Sequence, residues 1–306
     1  MKKVQVLLSS YNGEKYIKEQ IDSILVQKNV SVELLIRDDG STDGTKEILR
    51  KYQQQYENVS VLYEENVGVI HSFFNLINMA DETADYIAFA DQDDVWLPEK
   101  LERAVILLEN KQRGVHEEEP LLYCSARQLV DEQLNYLPSA IKYPIVKPVF
   151  GNALVENMCT GCTCVINQPL LRLLKNHRPE FTVMHDFWIY LVGTCFGQAV
   201  YDEESYILYR QHGNNELGSA STLLENYKRR IKNFKKHRGQ LTRQAAELLR
   251  LYGADMPEEK RRLAEELTQY RRNLKIRWKL VAGKEVFRQR KSDDGIFRLL
   301  LLAGLI

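Results

Sequence analysis

The order of apolar and polar segments in this 306-residue chain predicts an α/β fold with a mainly parallel central sheet flanked by helices. Apolar segments typical of buried strands alternate with segments of helical spacing through residue 110. Acidic and polar clusters directly follow three of these strand segments. Because ligands of parallel α/β sheets bind beyond the carboxyl ends of the strands, the clusters predict a binding site at that edge.

The elements of the first half are set by this alternation. The predicted strands cover residues 4–8, 32–36, 59–63 and 86–90. Helices are predicted from residue 16 to 25, after a cap at Ser41 or Thr42, from residue 68 to 79, and from Pro98 onward. Proline suits the first turn of a helix, because its missing N–H would be unpaired there in any case.

The second half is less regular. Residues 121–129, 160–166 and 200–209 predict strands, a helix is expected to begin near Asp186, and the chain becomes helical and basic from residue 223. We therefore expect a domain over 1–220, with a nucleotide-binding half (1–110) and an acceptor and catalytic half (111–220). A basic helical carboxyl-terminal region is expected over 221–306.

Composition limits the location and the redox state. No apolar run is long enough to cross a bilayer, and the amino terminus lacks the features of a signal peptide, so a cytoplasmic protein is expected. The five cysteines are an odd number, which favours reduced thiols. Cys159, Cys162 and Cys164 have the small-residue pattern of a buried strand rather than the spacing of a zinc site.

The segment Asp91-Gln92-Asp93-Asp94 carries the strongest chemical signal. Its carboxylates follow an apolar strand, and buried carboxylates need water, hydrogen-bond donors or a cation. Oxygen ligands suit Mg²⁺ or Mn²⁺, which complete their shell with substrate phosphates. The alternative is a solvated turn whose aspartates only cap the next helix.

A second acidic cluster, Asp38-Asp39-Gly40-Ser41-Thr42-Asp43-Gly44-Thr45, also follows an apolar strand and precedes a helix. Helix capping accounts for part of it. Two adjacent acids before the cap exceed what capping needs, and their oxygens suit the N–H of a pyrimidine or the hydroxyls of a ribose.

Taken together with Ser9-Ser10-Tyr11-Asn12-Gly13 and Asn66-Val67-Gly68, these motifs resemble family-2 glycosyltransferases of the GT-A fold over the first 110 residues. The resemblance implies that Tyr11 and Asp38, with Ser9, bind the base of a nucleotide-sugar donor, and that Asp39 lies near the ribose. It also implies that Asp91 and Asp93 are an Asp-x-Asp pair that contacts the ribose and a metal ion.

The second half resembles a bacterial rhamnosyltransferase-like branch of that family, on three motifs: Gly161-Cys162-Thr163, His185-Asp186-Phe187-Trp188, and Tyr209-Arg210-Gln211-His212-Gly213-Asn214-Asn215. The branch implies Asp186 as the catalytic base, although a helix N-cap is an alternative. Gly161, Cys162, Thr163, Trp188 and Arg210 are then candidate contacts to the donor or acceptor sugar. His212 could ligate the metal or close over the diphosphate, and Trp188 could instead belong to the core.

We therefore expect a metal-dependent inverting glycosyltransferase, with rhamnose from dTDP-rhamnose as the implied donor and a carbohydrate or lipid-linked glycan of cell-surface polysaccharide synthesis as the acceptor. Two alternatives stay open. A sugar nucleotidyltransferase would need a glycine-rich phosphate loop where Ser9–Gly13 stands, and a non-catalytic binding module would not need a placed base.

The basic carboxyl-terminal region has two interpretations. From Glu225 onward, 22 Lys and Arg residues stand against 10 Asp and Glu residues, while the whole chain has a formal charge of zero. The region is either a solvated helical appendage or a peripheral contact with the anionic inner face of a membrane. The second interpretation rests on the basic run from Lys228 to Lys236 and the apolar stretch 296–302. The acidic body argues against nucleic acid as a partner.

Overall fold

The computed structural model describes residues 1–138, 146–212 and 239–306. Its strands are β1 (Lys2–Ser10), β2 (Val30–Asp39), β3 (Val59–Glu64), β4 (Tyr86–Ala90), β5 (Val95–Trp96), β6 (Leu121–Val130), β7 (Val165–Asn167) and β8 (Gln198–Arg210). Its helices are α1 (Ile17–Leu25), α2 (Thr45–Gln55), α3 (Val69–Met79), α4 (Lys100–Gln112), α5 (Phe150–Ala153), α6 (Gln168–Asn176), α7 (His185–Phe196), α8 (Gln240–Tyr252), α9 (Glu258–Gln269), α10 (Leu274–Ala282) and α11 (Lys291–Leu302).

The eight strands form one mixed sheet in the order β3-β2-β1-β4-β7-β6-β8-β5. The first four in this order are parallel, with Val6 of β1 beside Leu34 of β2 and Ala88 of β4. β7 is antiparallel to both β4 and β6, whereas β6 and β8 are parallel. The predicted parallel sheet is therefore confirmed for the first half, and the second half extends it with antiparallel pairs.

Apolar residues lie on both faces of the central strands, because successive side chains point to opposite sides. On β1, Leu7 packs toward α3, α6 and α7, while Val6 and Leu8 pack toward α1, α2 and α4. The sheet is thus covered by helices on both faces, which explains why its strands are nearly continuous apolar segments.

The carboxyl-terminal helices share the first of these two cores. Leu248 and Tyr252 of α8, Leu267 of α9 and Leu301 of α11 are fully buried in the cluster that contains Trp188 of α7. The expected boundary between residues 220 and 221, and the basic run from Lys228 to Lys236, lie outside the described residues. Over the described ranges, no helix is long and apolar enough to span a membrane.

Local structure corrects three sequence expectations. Residues 160–166 are not one strand, because a 3₁₀ turn at Gly161–Thr163 precedes the short strand β7. Helix α2 begins at Thr45, where Asp43 Oδ1 accepts from the Thr45 N–H at 3.0 Å, so neither Ser41 nor Thr42 is its cap. Helix α4 begins at Lys100, two residues after Pro98.

Candidate active site

The loops that follow β1 and β2 are joined by hydrogen bonds. The Asn12 N–H donates to Ser41 Oγ at 2.9 Å, and Asn12 Oδ1 accepts from the Thr42 N–H at 2.8 Å. The Gly13 N–H donates to Thr45 Oγ1 at 2.8 Å. Ser41 and Thr42 therefore hold the two loops together at the carboxyl edge of the sheet instead of capping α2.

Gln92 connects the loop after β4 to the loop after β1. Its Oε1 accepts from Ser10 Oγ and from the Tyr11 N–H, both at 2.9 Å, and its Nε2 donates to the Tyr11 carbonyl at 3.0 Å. A Cβ atom on Gly13 would lie 2.3 Å from Gln92 Oε1, so any larger residue there would displace the Gln92 amide from these hydrogen bonds. The predicted nucleotide residue Tyr11 is held by its backbone, with its side chain half exposed. Ser9 instead faces α3, where its Oγ lies 2.6 Å from Ser72 Oγ.

The adjacent acids Asp38 and Asp39 have different surroundings. Asp38 is fully buried, its Oδ2 accepts from the Ser41 N–H at 3.1 Å, and its Oδ1 has no hydrogen-bond partner among the described residues. A buried acceptor without a donor is costly, so Asp38 is suited to receive an N–H from a ligand.

Asp39 is already occupied by donors from the protein. Its oxygens accept from the Arg37 guanidinium and from the N–H groups of Val67 and Gly68, each of these two at 2.9 Å. Both charged side chains of this pair are buried. Asp39 therefore positions the Val67–Gly68 loop after β3, while its predicted contact with a ribose stays a prediction.

A buried acidic cluster lies beyond the end of β4. One ligand atom from each of Asp91, Asp94 and Cys162 lies within 4.8 Å of the others. Burial, together with the negative charges of Asp94, Asp93 and Asp186, raises the pKa of Asp91 well above its usual value. Burial and the nearby Asp93 raise the pKa of Asp94 to about 7. The site thus concentrates negative charge that is poorly solvated.

This cluster fits a divalent cation. Asp94 Oδ1 accepts from the Arg210 N–H at 3.1 Å, but its Oδ2 is buried and has no partner in the described part of the chain. Mg²⁺ and Mn²⁺ prefer oxygen ligands, so the Cys162 thiol is better suited to donate a hydrogen bond to the carboxylates than to ligate the ion.

The three predicted metal residues do not converge on one point. Asp91 belongs to the buried cluster, whereas Asp93 Oδ2 lies 2.8 Å from His212 Nε2 at the rim. The His212 ring stacks on Tyr16, with ring centroids 5.2 Å apart. His212 therefore lies beside an Asp-x-Asp carboxylate, while its role as a metal ligand or a closing group stays a prediction.

Arg210 supports the loop around Asp93. Its side chain is buried and donates to the carbonyls of Asp93 at 2.8 Å and Glu132 at 2.5 Å, and to Glu19 Oε2 at 2.5 Å. Its guanidinium also lies 4.5 Å from the centre of the Tyr16 ring. These contacts occupy the group that was expected to bind a sugar, so Arg210 supports the site through the protein.

Asp186 reaches the site from the other half of the chain. It lies in the first turn of α7, whose N-cap residue is Met184, so Asp186 is not the N-cap. Its Oδ2 accepts from the Gly161 N–H at 2.9 Å and its Oδ1 from the Phe187 N–H at 2.6 Å. Burial raises its pKa to about 6, although these donors and the Asn157 side chain favour the charged form. A carboxylate with this pKa is ionised near pH 7 and can accept a proton.

The other predicted sugar contacts are buried. Trp188 is fully enclosed in the core, tilted against Tyr252 with ring centroids 6.4 Å apart, so its indole has no exposed face for a sugar. The core alternative for Trp188 is thus confirmed. Thr163 Oγ1 donates to the Thr160 carbonyl at 2.8 Å, which stabilises the turn. Gly161 contributes its N–H to Asp186. All five cysteines are free and buried, as expected.

Sequence reasoning missed Gln92, Asn157 and Arg127. Arg127 donates to Thr160 Oγ1 and lies over the Tyr209 ring, 5.1 Å from its centre, in the same region as Asp186. Gln92 could have been found, because it stands between the two aspartates of the Asp-x-Asp motif. Asn157 and Arg127 carry no local signal, since Asn157 hydrogen-bonds Asp186, and Arg127 acts on it electrostatically, from positions distant in sequence.

Residues 5–116 match the family described as Glycosyl transferase family 2. Over 236 residues, covering 72% of this chain and 77% of the relative, the sequence is 30% identical to the dTDP-rhamnosyl transferase RfbG of Shigella flexneri. The chain belongs to glycosyltransferase family 2. It is also 40% identical over 101 residues to the putative teichuronic acid biosynthesis glycosyltransferase TuaG of Bacillus subtilis. This match covers 33% of this chain and 39% of TuaG.

Solved structures of glycosyltransferases confirm the GT-A fold. S. aureus TarS 1-349 in complex with UDP-GlcNAc superposes with a TM-score of 0.58 at 20% identity, over 88% of this chain and 70% of that one. Mannosyltransferase PcManGT from Pyrobaculum calidifontis in complex with GDP-Man and Mn²⁺ gives 0.54 at 16% identity, over 90% and 71%. The family-2 glycosyltransferase therefore has the architecture expected from its sequence.

Proposed function

We propose that this glycosyltransferase transfers rhamnose from dTDP-rhamnose to a glycan acceptor, with inversion at the anomeric carbon. The supporting observation is the similarity to a dTDP-rhamnosyl transferase, which extends through 236 residues. That length exceeds the 112 residues matched by the family as a whole, so the similarity includes part of the second half, where an acceptor would bind.

The base of the donor is bound by the rim of the first half. Asp38 Oδ1, buried and without a partner among the described residues, accepts the N3–H of thymine, and the exposed Tyr11 ring covers the base. The ammonium of Lys46 lies 3.8 Å from Asp38 Oδ2. Uracil presents the same N3–H, so these contacts select pyrimidine nucleotides rather than thymine alone.

Asp186 is the general base. Its carboxylate removes the proton from an acceptor hydroxyl, whose oxygen forms a bond to the anomeric carbon as the bond from that carbon to the diphosphate breaks. In a single displacement the attacking oxygen lies opposite the leaving group, so Asp186 serves the acceptor side of the sugar and Asp91 the diphosphate side. No enzyme nucleophile takes part, which predicts inversion.

The proposed residues for Mn²⁺ or Mg²⁺ are Asp91 and Asp94 of the buried cluster. Asp93 and His212, which the resemblance also implies, lie together at the rim of the site. A bound divalent ion would neutralise the charge that develops on the departing diphosphate. The protein brings the carboxylate oxygens together, and Arg210 holds the loop by donating to the Asp93 carbonyl.

A donor screen tests the proposal. The purified enzyme is incubated with dTDP-rhamnose and other nucleotide sugars, with Mn²⁺, with Mg²⁺ or with EDTA, and release of nucleoside diphosphate is measured. We expect the fastest release with dTDP-rhamnose and a divalent ion, and NMR of the product should show the inverted anomer. Full turnover in EDTA would overturn the metal assignment, and a clear preference for another donor would overturn the rhamnose assignment.

The same assay separates the alternatives. A sugar nucleotidyltransferase would release pyrophosphate from a nucleoside triphosphate and a sugar phosphate. A binding module would retain a nucleotide sugar without turnover in the presence of any acceptor. Candidate acceptors are glycans and lipid-linked glycans of cell-surface polysaccharide synthesis.

A further inference from the structure

Helix α10 presents two large apolar side chains to solvent. Leu274 is 65% exposed and Trp278 is 62% exposed. They are four residues apart, so they lie on the same face of the helix, one turn from each other. We call this face, together with the neighbouring basic residues Arg272 and Lys275, the α10 surface.

The exposure of these side chains is a fixed feature of a well-anchored helix. Asn273 caps α10, its Oδ1 accepting from the Lys275 N–H at 3.0 Å and the Ile276 N–H at 3.2 Å. Arg277 donates to the carbonyls of Tyr270 and Leu302, both at 3.3 Å, which ties the start of α10 to the end of α11. The helix therefore keeps its buried side in place while the α10 surface stays outside.

The charged residues in the sequence segment around the α10 surface are all basic. Residues 270–284 contain six Lys and Arg residues and no Asp or Glu. Lys279 pairs with Glu266 of α9, and Arg271 donates to the carbonyl of Ile306. Arg272 and Lys275 are exposed, and within the described ranges neither has an acidic partner. An exposed tryptophan and leucine beside unpaired cations are suited to a lipid surface that is apolar inside and anionic outside.

The apolar stretch 296–302 adds less exposed apolar surface than its sequence suggests. Phe297 and Leu301 of α11 are buried in the core, whereas Leu299 is 67% exposed. Arg298 of α11 donates to the Gly283 carbonyl at 2.8 Å, just beyond the end of α10. With the bond from Arg277 to Leu302, this contact makes the two helices antiparallel neighbours, so Leu299 lies at the level of α10.

We propose that the α10 surface docks this glycosyltransferase on an anionic lipid bilayer, with Trp278 and Leu274 inserted at the headgroup level and Arg272 and Lys275 facing lipid phosphates. The contact is peripheral and reversible, and it falls with rising salt because the charges are exposed. This docking does not rest on the proposed donor, base or metal, since its test needs no turnover.

Tryptophan fluorescence reports on the α10 surface directly. The chain has three tryptophans, and Trp96 and Trp188 are buried, so quenching by acrylamide reads mainly Trp278. Full-length protein is titrated with vesicles of phosphatidylcholine containing phosphatidylglycerol, and with phosphatidylcholine alone. We expect a blue shift and protection from acrylamide with the anionic vesicles only. An unchanged spectrum with protein bound to the vesicles would show that another surface docks and would overturn the proposal.

Vesicle flotation with matched variants provides the second test. The double substitution Leu274→Ser and Trp278→Ser should weaken binding to anionic vesicles roughly tenfold or more, since burial of each large apolar side chain is worth about that factor. The control is Met79→Ser with Ile106→Ser, because both residues are exposed apolar residues of helices in the first half. The control should float like the parent protein.

Two results would contradict the assignment. Equal flotation of the Leu274 and Trp278 variant and the parent protein would remove the α10 surface from the contact. Binding of the parent to soluble polyglutamate but not to anionic vesicles would assign the surface to an acidic protein instead. Circular dichroism of each variant confirms that loss of flotation is not loss of fold.

Discussion

The donor side and the acceptor side of this active site are built in different ways. On the donor side, the loops after β1, β2 and β4 end neighbouring strands and are joined by Asn12, Ser41 and Gln92. On the acceptor side, Asp186 of α7 is held by the Gly161 N–H, from a turn 25 residues earlier. The donor side is therefore held by several hydrogen bonds between loops, whereas Asp186 is held by one backbone hydrogen bond at each carboxylate oxygen, from Gly161 and from the next residue, Phe187.

The largest effect should come from removing the charge of Asp186. In Asp186→Asn the amide oxygen can still accept from the Gly161 N–H, but it cannot take the acceptor proton. General-base catalysis is typically worth about 10²–10⁴-fold, so the transfer rate should fall at least 100-fold. The dissociation constant of the donor, measured by calorimetry with Mn²⁺, should stay close to that of the parent enzyme.

Thermal melting separates catalysis from a structural role in this variant. Burial raises the pKa of Asp186, which means that its ionised form is destabilised by the fold. The neutral asparagine avoids that cost but offers one acceptor oxygen for the two N–H groups of Gly161 and Phe187, so its melting temperature at pH 7 should stay within a few degrees of the parent value. Near-parental transfer would show that another residue is the base, and an early melt would show that Asp186 is mainly structural.

Substitutions of the two adjacent donor-side acids should have different effects, because Asp38 is expected to bind the donor and Asp39 to stabilise the fold. Asp38→Asn replaces the acceptor Oδ1, which has no partner in the described residues, and should weaken donor binding by roughly tenfold, the value of one charge-assisted hydrogen bond. Its melting temperature should change little. The donor constant is measured by calorimetry in saturating Mn²⁺.

Asp39→Asn is the matched comparison, since it changes the neighbouring residue in the same way. It leaves the buried Arg37 guanidinium with less negative charge and weakens the bonds to the Val67 and Gly68 N–H groups. Breaking a buried pair costs about 3 kcal/mol, so the melting temperature should drop by several degrees. If Asp39→Asn melts like the parent and loses only donor affinity, Asp39 contacts the ribose, as the family resemblance implies.

The pH dependence of the transfer rate should be set by Asp186, on the acceptor side of the site. Because the base must be ionised and the pKa of Asp186 is about 6, the transfer rate should rise about tenfold per unit below pH 6 and level off above it. The residual rate of Asp186→Asn should lack this inflection. The same raised pKa means that the folded state binds the proton more tightly than the unfolded chain. Parent stability relative to Asp186→Asn should therefore fall as the pH rises from about 4 to 6.

The difference between the two sides also explains what the sequence could predict. The parallel strands, and the positions of Asp38 and Asp91 at the carboxyl ends of β2 and β4, could be predicted because each acidic cluster stands at the end of its own strand, which is a local pattern. The separate environments of Asp38 and Asp39 were not predictable, since they depend on Arg37 and on the loop after β3. The hydrogen bonds of Arg210 to Glu19 and Glu132, which keep it from a sugar, were not predictable either. Its contact with Glu19 joins residues 191 positions apart in sequence.

The second half of the sheet was harder to predict for the same reason. A 3₁₀ turn interrupts residues 160–166, and small residues there satisfy both a strand pattern and a tight turn. The pairing of β6 with β8 joins residues about 80 positions apart, which no short motif encodes. Asp186 was placed through the family resemblance, while its partners Gly161 and Asn157 became visible only in the fold.

The smallest effects should come from a pair of glycines, and they test whether the turn at Gly161 controls Asp186. A Cβ on Gly161 would lie 2.8 Å from His185 Nε2 and 3.4 Å from the Asp186 Cβ, so Gly161→Ala must displace the imidazole or the base. We expect a roughly tenfold lower transfer rate, because small misplacement of a catalytic group is costly, with unchanged donor affinity. Gly295→Ala is the control, since a Cβ at that position in α11 meets nothing within 4 Å. That substitution should stabilise the protein by about 0.5–1 kcal/mol through helix propensity and leave transfer unchanged. Equal rates for the two variants, measured at saturating donor, would mean that the Gly161 turn does not position Asp186 and that the acceptor side is held by other contacts.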